Sequence, residues 1–244
     1  MNRFLLLALL INFSLSAQTT TNKAEKPFLV FQLFTSQGCS SCPPADALLE
    51  KVKKENLNKN VVVLSYHVDY WNYIGWNDPF SSRAFTKVQY AYGKKFKRNR
   101  VYTPQLVVNG RDHFVGSNQT RVKKILNKYA SSISENTITL DQIKKQNNFL
   151  SAAYSINGTL DDKNIVIALV LERKSTFVKK GENRNKEITN SNIVLNQLAL
   201  PLSSSKGKIK IEIPESYTDE SNLRLIAFIQ KNNLEITGTT QHQL

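Results

Sequence analysis

Cys39-Ser40-Ser41-Cys42 constrains this 244-residue chain more than any other stretch, because it holds the only two cysteines and joins two opposite patterns. Upstream, Phe28 to Phe34 is nearly all apolar, as in a central strand buried on both faces. Downstream, Ala45, Leu48, Leu49 and Val52 recur at helical spacing, with Glu50, Lys51, Lys53 and Lys54 filling the other face. Pro43 and Pro44 suit a first helical turn, where a missing N–H costs nothing. The thiols therefore stand at a strand-to-helix turn, where a helix N-terminus favours negative charge and stabilises a thiolate. Reversible dithiol–disulfide chemistry is the first reading. An inert staple is the second, although a bridge closing so short a loop constrains the unfolded chain little. Metal binding is the third; a four-coordinate zinc site needs two or more further ligands, and only His67, His113 and His242 supply imidazoles.

The chain beyond the first helix continues the alternation. Val61 to Val68 reads as a second buried strand, too far from the first for a hairpin, so a right-handed crossover and parallel pairing are expected. Ser81 or Ser82 caps a helix running to about Lys95 that buries Phe85, Val88 and Tyr92. Gln105 to Val108 and Asp112 to Val115 are short strands joined by Asn109-Gly110, a strong hairpin signal. A closing helix places Val122, Ile125, Leu126 and Tyr129 on one face. The order β-α-β-α-β-β-α is that of the thioredoxin fold.

The dithiol at its turn, with Thr103-Pro104 entering the third strand, resembles the thioredoxin superfamily. The strings LFTSQGCSSCPPADALL, HVDYWNYIGWNDPF, VYTPQLVVNG and KKGENRNKEITNSNIV are similar to a narrower group, the exported bacterial thioredoxin-like proteins of unknown function. The resemblance implies that Cys39 is an exposed nucleophile and Cys42 the resolving thiol. It also implies a cis bond at Thr103-Pro104, with Pro104 shaping a substrate groove in which Thr103 offers backbone groups to an extended peptide. Gly38 stands where thioredoxins proper have a tryptophan, and Ser-Ser stands where they have Gly-Pro. The first strand carries no carboxylate, so the buried acid that assists proton transfer in that superfamily is missing there.

His67-Val68-Asp69-Tyr70-Trp71 leaves the second strand at its C-terminal end, the edge where open α/β sheets put their sites. His67 or Asp69 is a candidate proton relay to Cys42, and Trp71, Tyr73 and Trp76 are candidate pocket walls. The plainer alternative is a buried histidine satisfied by the backbone, with aromatics covering the sheet edge. Cys39, Cys42 and His67 also form the ligand set that would suit Cu(I), as in a metallochaperone. A non-catalytic binding protein is a further alternative, since fold does not fix function.

From about Ser132 the character changes to short apolar-rich runs, from Thr137–Leu140 to Leu234–Thr239, separated by Asn, Gly, Asp and Ser clusters. An antiparallel sandwich is expected. The fold class read from the chain is thus an α/β thioredoxin-like domain over 27–131 followed by an all-β sandwich-like domain over 132–244. The charged segment Lys179 to Thr189 either lines the dithiol cleft or is a solvated hairpin tip.

Residues 1–17 read as a secretory signal peptide, with a short basic start, an apolar run from Phe4 and small residues at Ser16 and Ala17; residues 18–26 read as a polar tether. Export to the periplasm or beyond follows, in a compartment where disulfides persist. No membrane span and no cofactor are expected. The net charge is +14, and residues 27–131 hold 16 Lys and Arg against 6 Asp and Glu. Without basic residues interleaved with aromatics on one element, a nucleic-acid partner is not indicated. Acidic polypeptides carrying thiols or disulfides, or an anionic membrane surface, match this charge better. The run Lys94 to Arg100, three residues before Thr103, is either a solvated helix end or a rim that steers such partners. The substrate, the redox partner and the oligomeric state are left open.

Overall fold

Every residue of the first strand, β1 (Phe28–Thr35), is buried, and its side chains alternate between two cores. Leu29, Phe31 and Leu33 pack under helices α1 (Pro43–Glu55) and α3 (Gln119–Lys128), while Val30 and Phe34 face α2 (Arg83–Lys95). The structure is a computed structural model that describes residues 28–57 and 59–244. The signal peptide and tether expected over 1–26 lie outside the described residues.

β1 pairs in parallel with β2 (Asn60–His67) from Phe28↔Asn60 to Thr35↔His67, and antiparallel with β3 (Gln105–Val108). β3 turns into β4 (Asp112–Val115) through Asn109 at φ 49° and Gly110 at φ 65°. Arg111 N–H donates to Val108 O at 2.9 Å, closing a turn whose two central residues both need positive φ, which is why the sequence places Asn-Gly there. Ser82 Oγ accepts from Ala84 N at 3.1 Å to cap α2, and a 3₁₀ helix, Asp69–Ile74, crosses the end of β2.

The rest of the chain corrects the fold class. The protein is mostly β: among the described residues there are eleven strands and three α-helices. Instead of an α/β thioredoxin-like domain followed by a separate β-sandwich, one mixed eight-stranded sheet takes strands from both halves. Its additional strands are β7 (Lys163–Val178), β8 (Lys186–Pro201), β10 (Leu223–Lys231) and β11 (Ile236–Gln243), in the order β11-β10-β7-β8-β2-β1-β3-β4. The junction is narrow, since β8 joins β2 only at Ser65↔Ile193. Strands β5 (Thr137–Gln146), β6 (Phe149–Asn157) and β9 (Lys206–Glu212) form a second sheet, ordered β5-β6-β9.

The physical reason lies in β7. Ile165, Ile167, Leu169 and Leu171 pack against the three-stranded sheet, whereas Val166, Ala168 and Val170 share a core with Val30, Phe34, Leu64 and Tyr66. A sandwich strand has one apolar face to hide; this one has two. Burying a Val, Leu or Ile fully contributes about 1.5–3 kcal/mol each. The second apolar face of β7 therefore drives the rear strands onto the front sheet.

Beyond Leu171, β7 becomes an exposed arm paired with the start of β8, from Arg173↔Ser191 to Val178↔Lys186. The arm lies along α1. Arg173 donates to Glu50 at 2.9 Å and Lys53 donates to Glu172 at 2.8 Å. Such part-exposed pairs fix direction more than they add stability. The arm's tip reaches the loop that follows β1.

Candidate functional site

After Thr35 the chain makes two tight turns. Cys39 N–H donates to Ser36 O at 3.1 Å and Cys42 N–H donates to Cys39 O at 3.2 Å, and Cys42 becomes the N-cap of α1. Both cysteines are free thiols, and each is only 1% exposed. Cys39 is therefore not the exposed nucleophile that the resemblance implied.

The two thiols are electrostatically unlike. The hydrogen bond from the Cys42 thiol draws Cys39 down to about 6, against the opposing effect of burial, with help from the Ser41 hydroxyl and N–H and the Thr103 hydroxyl. Ser41 Oγ stands 3.2 Å from Cys39 Sγ. Cys42 moves the other way: burial pushes its thiol far up, and the hydrogen bond to Cys39 and the charges of Cys39 and Asp46 add to this. The arrangement holds a thiolate at Cys39 and a proton at Cys42.

Thr103 comes to the dithiol from the entrance of β3, its hydroxyl acting on both sulfurs, and its bond to Pro104 is cis. The Trp71 indole donates to Thr103 Oγ1 at 2.7 Å, which leaves the Thr103 hydrogen free to serve a thiolate. Trp71 stacks on Tyr73 at 6.4 Å between ring centroids, and Tyr73 is 82% exposed. A Cβ on Gly38 would stand 3.0 Å from Ile74 Cδ1 and 3.3 Å from Trp71 Cβ. An aromatic neighbour of the dithiol thus arrives from the 3₁₀ helix instead of from position 38.

The candidate relay residues divide. Asp69 is occupied at the start of α2, where Thr86 Oγ1 donates to its carboxylate at 2.5 Å and its own N–H donates to Thr86 Oγ1 at 3.2 Å. His67 is fully buried, with Nδ1 2.7 Å from Asp78 Oδ2. Burial opposes its charge, but the Asp78 carboxylate beside it raises the imidazole above its ordinary value. Asp78 is held low in turn, against its burial, by His67 and by the N–H groups of Gln37 and Phe80 at 2.8 and 3.0 Å. Among the described residues no group of three or more His, Cys, Asp or Glu side chains is placed to hold a metal ion, so Cys39, Cys42 and His67 are not assembled as a copper site.

β1 carries no carboxylate, but a buried acid sits on α1. Asp46 is buried one turn beyond Cys42, and its Oδ2 accepts from Thr35 Oγ1 at 2.8 Å while Oδ1 has no hydrogen-bond partner among the described residues. Burial lifts its carboxyl to about 6, with His67, Thr35 and Asn190 opposing. The i,i+4 spacing of Cys42 and Asp46 on a helix, which puts both on one face, was the available signal.

The rear half supplies the remaining contacts. Glu182 accepts from Ser40 N at 2.8 Å, and Asn183 Nδ2 donates to Gln37 O and Cys39 O, both at 3.0 Å. Gln37 Nε2 donates to Asn190 Oδ1 at 2.9 Å, and Trp76 Nε1 donates to Gln37 Oε1 at 3.2 Å. His113 lies 3.3 Å from Tyr102 OH and against Phe96, while His242, on β11, pairs with Leu225 of β10. In the basic run, Lys95 donates to Asn233 O at 2.7 Å, whereas Lys94, Lys97, Arg98 and Arg100 are exposed. No helix among the described residues is long and apolar enough to cross a membrane.

Comparison with known proteins gives a family and a similar solved structure. The family described as "Protein of unknown function (DUF1223)" matches residues 30–230. No curated protein matches. A crystal structure of protein AGR_C_4864 from Agrobacterium tumefaciens is similar over 89% of this chain and 95% of that one, at 28% identity and a TM-score of 0.67. A β-glucosidase from Kluyveromyces marxianus aligns over 50% of this chain and 16% of its own, at 9% identity and a TM-score of 0.22, which carries no argument.

Proposed function

The chain belongs to the DUF1223 family, and from the geometry of its dithiol we propose that it is an exported thiol–disulfide exchange protein acting on disulfides or thiols of polypeptides. The observation that carries this reading is geometric: two free cysteines meet at the N-cap of α1, with Ser41 Oγ 3.2 Å from Cys39 Sγ and Thr103 held by Trp71 beside them, and the opposite shifts of the two thiols, Cys39 down and Cys42 up, agree with it. Exchange needs this pairing: a thiolate to attack and a protonated partner that resolves.

The Cys39 thiolate attacks one sulfur of a substrate disulfide. A Cys39–substrate bond forms, the substrate S–S bond breaks, and the released thiolate takes a proton from solvent. Cys42 then gives up its proton, for which the buried Asp46 carboxylate, whose charge acts on the Cys42 thiol, is the candidate acceptor, and attacks Cys39 Sγ. The internal disulfide forms and the second substrate sulfur leaves, so the substrate is reduced and the dithiol oxidised. The reverse sequence oxidises a substrate dithiol. Asp46 suits proton exchange near neutrality because its carboxyl titrates at about 6. Since Cys39 is 1% exposed, a substrate sulfur reaches it only as covering side chains move aside.

A redox titration in glutathione buffers, followed by the thiol count at Cys39 and Cys42, tests the proposal. One two-electron transition is expected. Two thiols that stay reduced under oxidising buffer would rule the reading out and favour a non-catalytic binding role.

A further inference from the structure

We propose that Asn183, at the tip of the β7–β8 arm, is the positioning residue that sets the dithiol loop; the inference rests on the exchange reading above. Its two amide hydrogens go to the carbonyls of Gln37 and Cys39, each at 3.0 Å. These carbonyls flank Gly38, the residue with the greatest backbone freedom in the loop. Fixing both peptide planes fixes the direction in which the Cys39 side chain leaves the backbone. That direction decides whether Cys39 Sγ meets the Ser41 hydroxyl at 3.2 Å, the Thr103 hydroxyl and the Cys42 thiol together.

Asn183 is itself held. It is 1% exposed, and Lys186 Nζ donates to its Oδ1 at 3.2 Å, which turns the amide nitrogen towards the loop. The tip closes through Arg184 N to Gly181 O at 3.2 Å and Asn185 N to Val178 O at 2.8 Å. Gly181 has φ +79°, and a Cβ there would fall 2.5 Å from Ile74 Cδ1. Only glycine allows the tip to approach the 3₁₀ helix so closely. The neighbouring Glu182 takes the Ser40 N–H, which leaves the Ser41 N–H and hydroxyl to Cys39.

A residue 144 positions from Cys39 thus tunes its chemistry without touching its sulfur. Asn183→Ala removes both donors. Asn183→Asp keeps the shape but sets a carboxylate against two carbonyl oxygens, so it also serves where Asn183→Ala does not fold. The readouts are the ultraviolet thiolate titration of Cys39 and the reduction potential of the pair, with melting temperature recorded alongside. Arg184→Ala, at the same tip but exposed, is the control. We expect the Cys39 titration to move up by about one pH unit in Asn183→Ala and further in Asn183→Asp, roughly a tenfold loss of thiolate below its pKa. The control should titrate as wild type. A merely structural Asn183 would lower the melting temperature and leave the titration in place. Folded Asn183 variants that titrate and reduce like wild type would overturn the assignment. The titration reads the loop whether or not the wild-type protein turns over, so failure of the exchange reading and failure of this one give different results.

Discussion

Asp46 N–H donates to Cys42 O at 3.2 Å, so the buried carboxyl of one residue and the buried thiol of the other share the first turn of α1. From this follows a prediction with two signs. Asp46→Asn should slow resolution of the mixed disulfide by on the order of 10²-fold, the usual contribution of a positioned base. It should also stabilise the protein at alkaline pH. The Asp46 pKa is raised on folding from 3.8 to about 6, so its favourable contribution is full below pH 3.8 and is lost as pH rises through about 6. Two pKa units correspond to about 3 kcal/mol. Denaturant melts should show Asn gaining up to about that much at pH 8 and nothing at pH 3.5; equal effects at both would remove Asp46 from the site.

The Cys42 thiol is the largest single cause of the low Cys39 titration. Cys42→Ala deletes the donor and should raise the Cys39 titration by more than one pH unit, whereas Cys42→Ser keeps a hydroxyl and should raise it less. Thiolate absorbance across pH 4–10 separates the two. Curves for both variants that match wild type would assign the lowering to Ser41 and Thr103 instead.

Trp71→Phe keeps an aromatic wall but loses the 2.7 Å hydrogen bond to Thr103. The expected result is a slower reaction with disulfide peptides, by about tenfold, with little change in melting temperature because Trp71 is only partly buried. Rates equal to wild type would leave Trp71 as a cover for the sheet edge.

The basic run offers a test of partner choice. Lys97, Arg98 and Arg100 are exposed, while Lys95 is engaged with Asn233 and lies 3.5 Å from Glu235. Replacing Lys97, Arg98 and Arg100 by Gln should slow exchange with an acidic disulfide peptide and spare a neutral one. The difference should fade as salt shortens the Debye length to about 8 Å and below. Equal slowing of both peptides, or none, would return the run to a solvated helix end.

The front half was legible because its signals are local. Ala45, Leu49 and Val52 recur at helical spacing and are buried, and Asn109-Gly110 makes the turn that its residue types allow. The rear strands were legible as strands and not in their placement. Ile165 to Leu171 is apolar at every position, and this run carried the warning, since a sandwich strand needs only one apolar face. Asp46 stands four residues from Cys42, a spacing visible in the sequence, but on the helix and not on the strand where the superfamily carries its acid. Asn183 had no local signal: a polar side chain in a charged run acquires its role only when the β7–β8 arm folds along α1 and brings it to Gln37 and Cys39.

The most direct test of the exchange mechanism is the intact mass of the protein after mixing with a disulfide-linked peptide pair at neutral pH. Wild type should lose two hydrogens, with both peptides released as thiols. Cys42→Ser should keep one peptide bound at Cys39, and Cys39→Ser should keep none, because Cys42 holds its proton. An unchanged wild-type mass with intact peptide disulfide, or equal capture by the two variants, would contradict the account.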